Sequence, residues 1–343
     1  MKIALLGGGG FIGSNIIENL LRSTDHYIMA YDLTFEKLKD IKLPKDRIEL
    51  LETWQGKDEH LSNGLTIGLR DIIDRADVVV DLIAYANPSK YISDPLAVVQ
   101  LNFLDNMAIV NYCALRGKHL IQFSTCEVYG VSNGRESFNE DSQFIMGPVR
   151  EHRWIYACAK QLLERCVHAH GMKGLSYTII RPFNFIGPRI DYLPQPGEMG
   201  GPRVFSHFFA ALQRNEPMYL VDGGTARRSY THIHDAVEAF KFILKNLNGC
   251  RGSIINIGNP ANETSIRDLA YLMRELWSKA TKKRATNPIE SISGSEFYGE
   301  GYADCDRRIP DIKHILSLGW EPQHNLRSTV NKTLKWHLKH CPI

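Results

Sequence analysis

Apolar and polar positions alternate along this chain in two rhythms. Short runs dominated by Ile, Val, Leu and Ala, at Lys2 to Leu6, Tyr27 to Tyr31, Ala76 to Ala84, His119 to Ser124 and Ser176 to Arg181, predict strands. Between them, apolar residues at helical spacing predict helices over Ile12 to Leu21 and over about 68–75, 93–115 and 154–170. Apolar strand interiors separated by helices predict an α/β fold, a Rossmann-like doubly wound parallel sheet covered on both faces. After Arg181 the texture changes, because the segment from Asn184 to Arg203 is rich in proline and glycine, as expected of a loop covering a site. Residues 1–182 therefore read as the main lobe, joined by segments around 228–260. Residues 183–343 read as a smaller substrate-binding lobe interleaved with the first. In it, helices are expected over about 203–214, 234–247 and 265–278, with strands at Met218 to Val221 and Ser253 to Gly258.

Composition narrows the class. Of 343 residues, 43% are hydrophobic and 23% charged, which excludes a disordered chain and is enough for a large core. Lys and Arg number 41 against 38 acidic residues, a balance that argues against nucleic acid or an anionic membrane as partner. No stretch approaches the roughly 18 uninterrupted apolar residues of a membrane span, since Asp77 and Asp81 break the best one. The seven cysteines are scattered without a C-x-x-C pair, which disfavours a disulfide framework or a zinc knuckle and fits a reducing cytoplasm. His232 and His234 alternate on a predicted strand but have no third ligand at a telling spacing, so no metal is expected.

The chemistry begins at Gly7-x-x-Gly10-x-x-Gly13, between the first strand and the helix opened by Phe11 and Ile12. Glycines at this place allow a tight turn and let backbone N–H groups approach a pyrophosphate. Asp32 closes the second strand, where an acid accepts hydrogen bonds from ribose hydroxyls and repels a 2′-phosphate, favouring NAD over NADP. Tyr156 and Lys160 lie four apart on one helix face, with the ammonium expected to lower the phenol pKa so that Tyr156 acts as a base. Thr125, at the end of a strand, adds a hydroxyl to share the substrate proton. Cys158 faces away from Tyr156 on the same helix.

These features in this order resemble the extended short-chain dehydrogenase/reductase family over nearly the whole chain. FSTCEVYG (123–130), RWIYACAKQLLER (153–165), RPFNFIGPR (181–189), VDGGTARRSYTHIHD (221–235), INIGNP (255–260) and EFYGEGYADCDRRIPD (296–311) are similar to its UDP-glucuronate-decarboxylating branch. The resemblance implies that Tyr156 removes the C4 hydroxyl proton of UDP-glucuronate while hydride passes to NAD, with Lys160 supporting it and Thr125 orienting the hydroxyl. It implies that Glu127 sits beside C5 and C6, and that Arg308, with Arg153 nearby, engages the substrate carboxylate. Asn184, Arg203, Arg228 and Tyr298 are the positions it suggests for the nucleotide. It also implies a homodimer, paired through the helices at about 93–115 and 154–170.

Two positions pull apart within the branch. Cys126 matches the apiose-forming members, where the lipid A-modifying members carry serine, and Asp304 also matches the apiose side. Ala86 stands where the apiose-forming members have a second cysteine, against ring contraction. The expected product is therefore a UDP-4-keto-pentose, released, re-reduced to UDP-xylose or contracted to UDP-apiose. The rivals are a non-decarboxylating nucleotide-sugar epimerase or dehydratase, which has no use for Arg308 and Glu127, and a non-catalytic NAD sensor, which has no use for an intact Tyr and Lys pair.

Overall fold

The computed structural model describes residues 1–53 and 64–341. The first part of the chain forms β1 (Lys2–Leu6), α1 (Phe11–Ser23), β2 (Tyr27–Asp32), β3 (Ile48–Glu52), α2 (Ile67–Arg75), β4 (Val78–Asp81), α3 (Pro88–Ser93), α4 (Pro95–Val99), α5 (Asn106–Leu115), β5 (His119–Phe123), α6 (Ile155–Gly171) and β6 (Ser176–Pro182). There follow β7 (Phe185–Ile186), α7 (Val204–Arg214), β8 (Met218–Val221), β9 (Arg227–Ser229), β10 (Thr231–His232), α8 (Ile233–Lys245), β11 (Ser253–Ile257), β12 (Glu263–Ser265), α9 (Ile266–Thr281), β13 (Ile289–Ile292), α10 (Gly294–Tyr298), β14 (Arg307–Arg308), α11 (Lys313–Leu318) and α12 (Leu326–His340).

Seven strands form one parallel sheet in the order β11-β6-β5-β4-β1-β2-β3. The alternation of β1 divides the core, with Ile3 and Leu5 packing on one face against α1, α8 and α7, and Ala4 and Leu6 on the other against α2, α5 and α6. Strand order reverses between β1 and β4, and this switch point opens a crevice at the carboxyl ends of the strands.

Three expectations are corrected. The strand expected at Ala76 to Ala84 pairs only over Val78–Asp81, because the chain from Leu82 leaves the sheet to line that crevice. The helix expected over 93–115 is interrupted. Pro95 disfavours helical geometry at Asp94, which instead caps α4 by accepting from Ala97 N (3.2 Å). A π-helical stretch, Gln100–Asp105, then precedes α5. It places Asn102 and Asn106 inward, where Asn102 bonds Tyr85 N (3.0 Å) and Asn106 bonds Ile83 O (3.3 Å), holding the crevice wall. His232 and His234 do not share a strand face, because His232 caps α8 by accepting from His234 N (3.1 Å), and His234 already lies within that helix.

One buried ion pair fixes the helix that carries Tyr156. Arg181, on β6, forks Glu164 on α6 (3.0 and 2.7 Å), and its remaining Nη bonds Tyr129 Oη (2.8 Å) and Glu140 O (2.9 Å). Both charged side chains are almost wholly buried. Arg181→Ala leaves Glu164 buried without its cation, so we expect a loss of about 3–5 kcal/mol, read as a lower urea midpoint at unchanged m.

Candidate active site

The loop after β1 is held by its own backbone. Gly7 has φ 79° and donates to Tyr31 O (2.8 Å). A Cβ on Gly9 would lie 1.8 Å from Thr34 O, and one on Gly13 2.6 Å from Gly7 O, so packing enforces glycine at both. At Gly10 a Cβ would meet only Gly7 O, at 3.4 Å, and would fill the open side of the cradle. The first turn of α1 has no acidic residue to compete with an anion at its N-terminus. Asp32 is pinned at the mouth by Gly9 N (2.8 Å) and Leu33 N (2.6 Å). Gly7, Gly10, Asp32, Leu82 and Asn106 line one cleft of 560 Å³. These residues fit a dinucleotide: a pyrophosphate at Gly10 and the start of α1, a ribose at Asp32. Phe11 is buried beneath the Arg203 guanidinium (5.3 Å to the ring), while Ile12 packs against the core.

At the far end of the crevice, Tyr156 and Lys160 are both buried on α6. The Thr125 hydroxyl lies beside the Tyr156 phenol and favours its ionised form. Lys160 Nζ donates to Phe123 O (3.2 Å). Tyr91 stacks on Tyr156 (4.7 Å between centroids, 9° between planes), and Arg153 lies over the Tyr91 ring (5.3 Å). In this environment burial, followed by the charge of Glu127, pushes the phenol above its usual value. That differs from the lowering expected from the spacing alone, because the long Lys160 side chain directs its ammonium to the end of β5.

Next to the phenol stands a carboxylate ringed by arginines. Thr125 Oγ1 accepts from Glu127 N (3.1 Å) and so starts the single turn Cys126–Tyr129 that presents Glu127. Arg153 forks Glu127, with Nη2 to Oε1 at 2.9 Å, and Arg308 Nη1 lies 3.9 Å from Oε1. Burial works to raise the Glu127 pKa, but Arg153 and then Arg308 outweigh it and hold the carboxyl below its usual range. Arg153 and Arg308 each keep a buried Nε without a hydrogen-bond partner. The Cys126 thiol is buried and pushed up by that burial, with Arg308 opposing.

Period-2 alternation explains how Arg308 arrives there. β14 runs parallel to β9 with Arg307 opposite Arg227 and Arg308 opposite Arg228. Arg308 and Arg228 therefore point to one face, into the cleft, while Arg307 and Arg227 point to the other and both bond Glu263 on β12. Arg228, suggested for the nucleotide by the resemblance, lies on β9 itself.

Asn184, Arg203, Arg228, Tyr298, Asp304 and Arg308 line one cleft, which also reaches Glu127, Arg153 and Ala86. Asn184 has φ 38° and a buried Oδ1 without a partner. Arg228 bonds Asp304 (2.5 Å), and Arg203, at the start of α7, is held by Asp191 (3.0 and 2.9 Å). Sequence reasoning missed Tyr91 and Asp191. The Asn87-Pro88 helix start that carries Tyr91 is legible, whereas the ring it stacks on belongs to a distant helix.

The chain matches the model of a family described as the NAD dependent epimerase/dehydratase family over residues 3–258. It is 40% identical to UDP-D-apiose/UDP-D-xylose synthase 1 of Arabidopsis thaliana, over 98% of this chain and 91% of that protein. It is 38% identical to the UDP-D-apiose/UDP-D-xylose synthase of Oryza sativa subsp. japonica, over 99% and 89%. Among solved structures, the PbgP3 protein of Burkholderia pseudomallei superposes with a TM-score of 0.84 at 33% identity, covering 99% of this chain and 96% of that one.

Proposed function

The chain belongs to the NAD-dependent epimerase/dehydratase family, and from that premise we propose that it oxidises UDP-glucuronate at C4 and releases its carboxyl group as CO2, leaving a UDP-4-keto-pentose. NAD, in the glycine-lined cleft, supplies the hydride acceptor. Tyr156 takes the C4 hydroxyl proton, and Thr125, beside the phenol, orients that hydroxyl. Oxidation turns the acid into a β-keto acid, whose carbon–carbon bond breaks because the new ketone stabilises the enolate. Arg308 and Arg153 hold the carboxylate through donors that the protein itself leaves unused, and Glu127 positions C5 and manages the proton. Arg228 and Arg203 face the diphosphate as charge-assisted donors, with Asn184, Tyr298 and Asp304 around the nucleotide.

The observation that carries this reading is the pair of buried arginines converging on Glu127 beside Tyr156. An epimerase or dehydratase acting on a neutral sugar gains nothing from them. The intact Tyr156 and Lys160 pair argues likewise against a sensor. Cys126 supports contraction to UDP-apiose, while Ala86, which lines the sugar cleft without a thiol, supports release of the ketone or its re-reduction to UDP-xylose.

We read the chain as two interleaved lobes, with β11 and α8 of the second half completing the first. Exposed Leu96, Leu104 and Leu162 beside α4, α5 and α6 support pairing with a second copy as a homodimer. Seven unpaired cysteines support a cytoplasmic placement. Among the described residues no helix is long and apolar enough to cross a membrane.

The test incubates the protein with UDP-glucuronate and NAD while NMR follows the sugar nucleotide and absorbance follows NADH. Loss of the carboxyl carbon is the expected result. Accumulating NADH then means release of the ketone, and xylose or apiose without NADH means internal re-reduction. Untouched UDP-glucuronate sinks the decarboxylase reading in favour of an epimerase or dehydratase on another nucleotide sugar.

A further inference from the structure

A carboxylate that the proposed chemistry does not use lies behind the oxidising pair. Asp81 ends β4, fully buried, directly across from Gln122 on β5. Asp81 accepts from Ile83 N (3.0 Å) through Oδ1 and from Gln122 Nε2 (3.0 Å) through Oδ2. Gln122 Nε2 also lies within reach of two further acceptors, Phe123 O (3.4 Å) and Asn106 Oδ1 (3.5 Å). Three acceptors around one nitrogen fix which end of the amide faces Asp81. Both of its oxygens thus meet donors, which is the environment of an ionised carboxylate.

The Phe123 carbonyl that Gln122 approaches is the one that receives Lys160 Nζ. Ammonium and carboxylate are therefore linked through this carbonyl and the Gln122 amide, and neither side chain reaches water. The other charged groups around them are committed. Glu164, one turn along α6 from Lys160, is forked by Arg181 of β6. From α5, Asp81 faces the neutral Cys113 thiol, which burial and then Asp81 itself push up. Tyr156 lies one turn before Lys160, on the same helix face.

We propose that Asp81 is the counter-ion of Lys160, a positioning residue that keeps the buried ammonium charged and acts on the reaction through it. A lone ammonium in so dry a place gives up its proton. Burial indeed drives the Lys160 pKa down, and Asp81, then Glu164, oppose it. Reciprocally, burial raises Asp81, and Lys160 is the foremost group holding it down. The effect on turnover rests on the assignment of Tyr156 and Lys160 as the oxidising pair; the charge pairing itself does not.

The experiment titrates Lys160 directly, by NMR of protein labelled at lysine Cε, its signal identified by its loss in Lys160→Met. Asp81→Asn, nearly isosteric, is expected to lower the Lys160 midpoint by about one pH unit or more. An unchanged midpoint overturns the proposal. If the Asn variant does not fold, Gln122→Leu, which removes the amide that favours the ionised carboxylate, must lower the same midpoint, and a midpoint unmoved there overturns it equally. No substrate is needed, so failure here is distinct from failure of the decarboxylase reading. With UDP-glucuronate, the alkaline limb of kcat must move to lower pH in the same variants while KM stays put. A limb that does not follow a shifted midpoint removes Asp81 from any role in the reaction.

Discussion

Tyr156→Phe is expected to cut turnover of UDP-glucuronate by about 100- to 10,000-fold, the range for removal of a positioned acid or base. The size follows from what else is available at the site. Among the described residues near the C4 position, Glu127 is tied up by Arg153 and Arg308, and the Thr125 hydroxyl is too weak a base to replace a phenolate. The phenylalanine ring keeps the stack on Tyr91, so folding and NAD affinity should be preserved. Single-turnover formation of NADH checks the step itself. Near-native turnover with tight NAD binding would remove Tyr156 from the mechanism. Because burial and Glu127 both raise the phenol's pKa, activity of the unmodified protein should fall on the acid side, where the base is protonated.

Arg308→Ala should have an effect of similar size through another route. Arg308 is buried, yet its ties to the protein are slight: Nη2 to Gly130 O at 3.4 Å, and Nη1 3.9 Å from Glu127. Arg181, just as buried, satisfies every nitrogen. The contrast separates a guanidinium that holds the fold from one with donors in reserve. Removing Arg308 deprives a desolvated carboxylate of its cation, about 2–5 kcal/mol, or roughly 30- to 5,000-fold in kcat/KM. Fold stability should change far less than in Arg181→Ala, and NAD affinity, measured by titration, should hardly change. Equal losses in NAD binding and decarboxylation would deny Arg308 its place at the sugar.

Much of this arrangement could be read from the chain, for reasons that differ by element. β1, β2, β5 and β6 announce themselves because strands buried on both faces are continuous apolar runs. β3 escaped notice because it sits at the sheet edge with Glu49 and Glu52 among its apolar positions, a pattern with no clear period. The break in the helix beginning near 93 was available in Pro95, but the π-helical stretch that follows carries no comparable mark. In the site, Gly7, Gly10, Gly13, Tyr156 and Lys160 were legible as spacings within one element or across one turn. The partners were not: Arg203 with Asp191, Arg228 with Asp304 and Tyr91 on Tyr156 are settled by tertiary packing. Asp81 was hidden best, since inside the run Ala76 to Ala84 a lone acid reads only as a break in apolar character.

The consecutive arginines at 227–228 and 307–308 bear on how this site can change. Strands of three and two residues, β9 and β14, are too short to hold their alignment by ladder hydrogen bonds alone, and a slip of one position would turn every side chain over. The outward pair prevents this by gripping Glu263 from both strands, like a clasp closed on the back of the sheet. Sugar-facing residues on these strands can therefore be exchanged one for one, whereas inserting or deleting a single residue in either strand would present the wrong arginine to the substrate. Selectivity at the front is in this sense indexed from behind, by a carboxylate that meets no ligand.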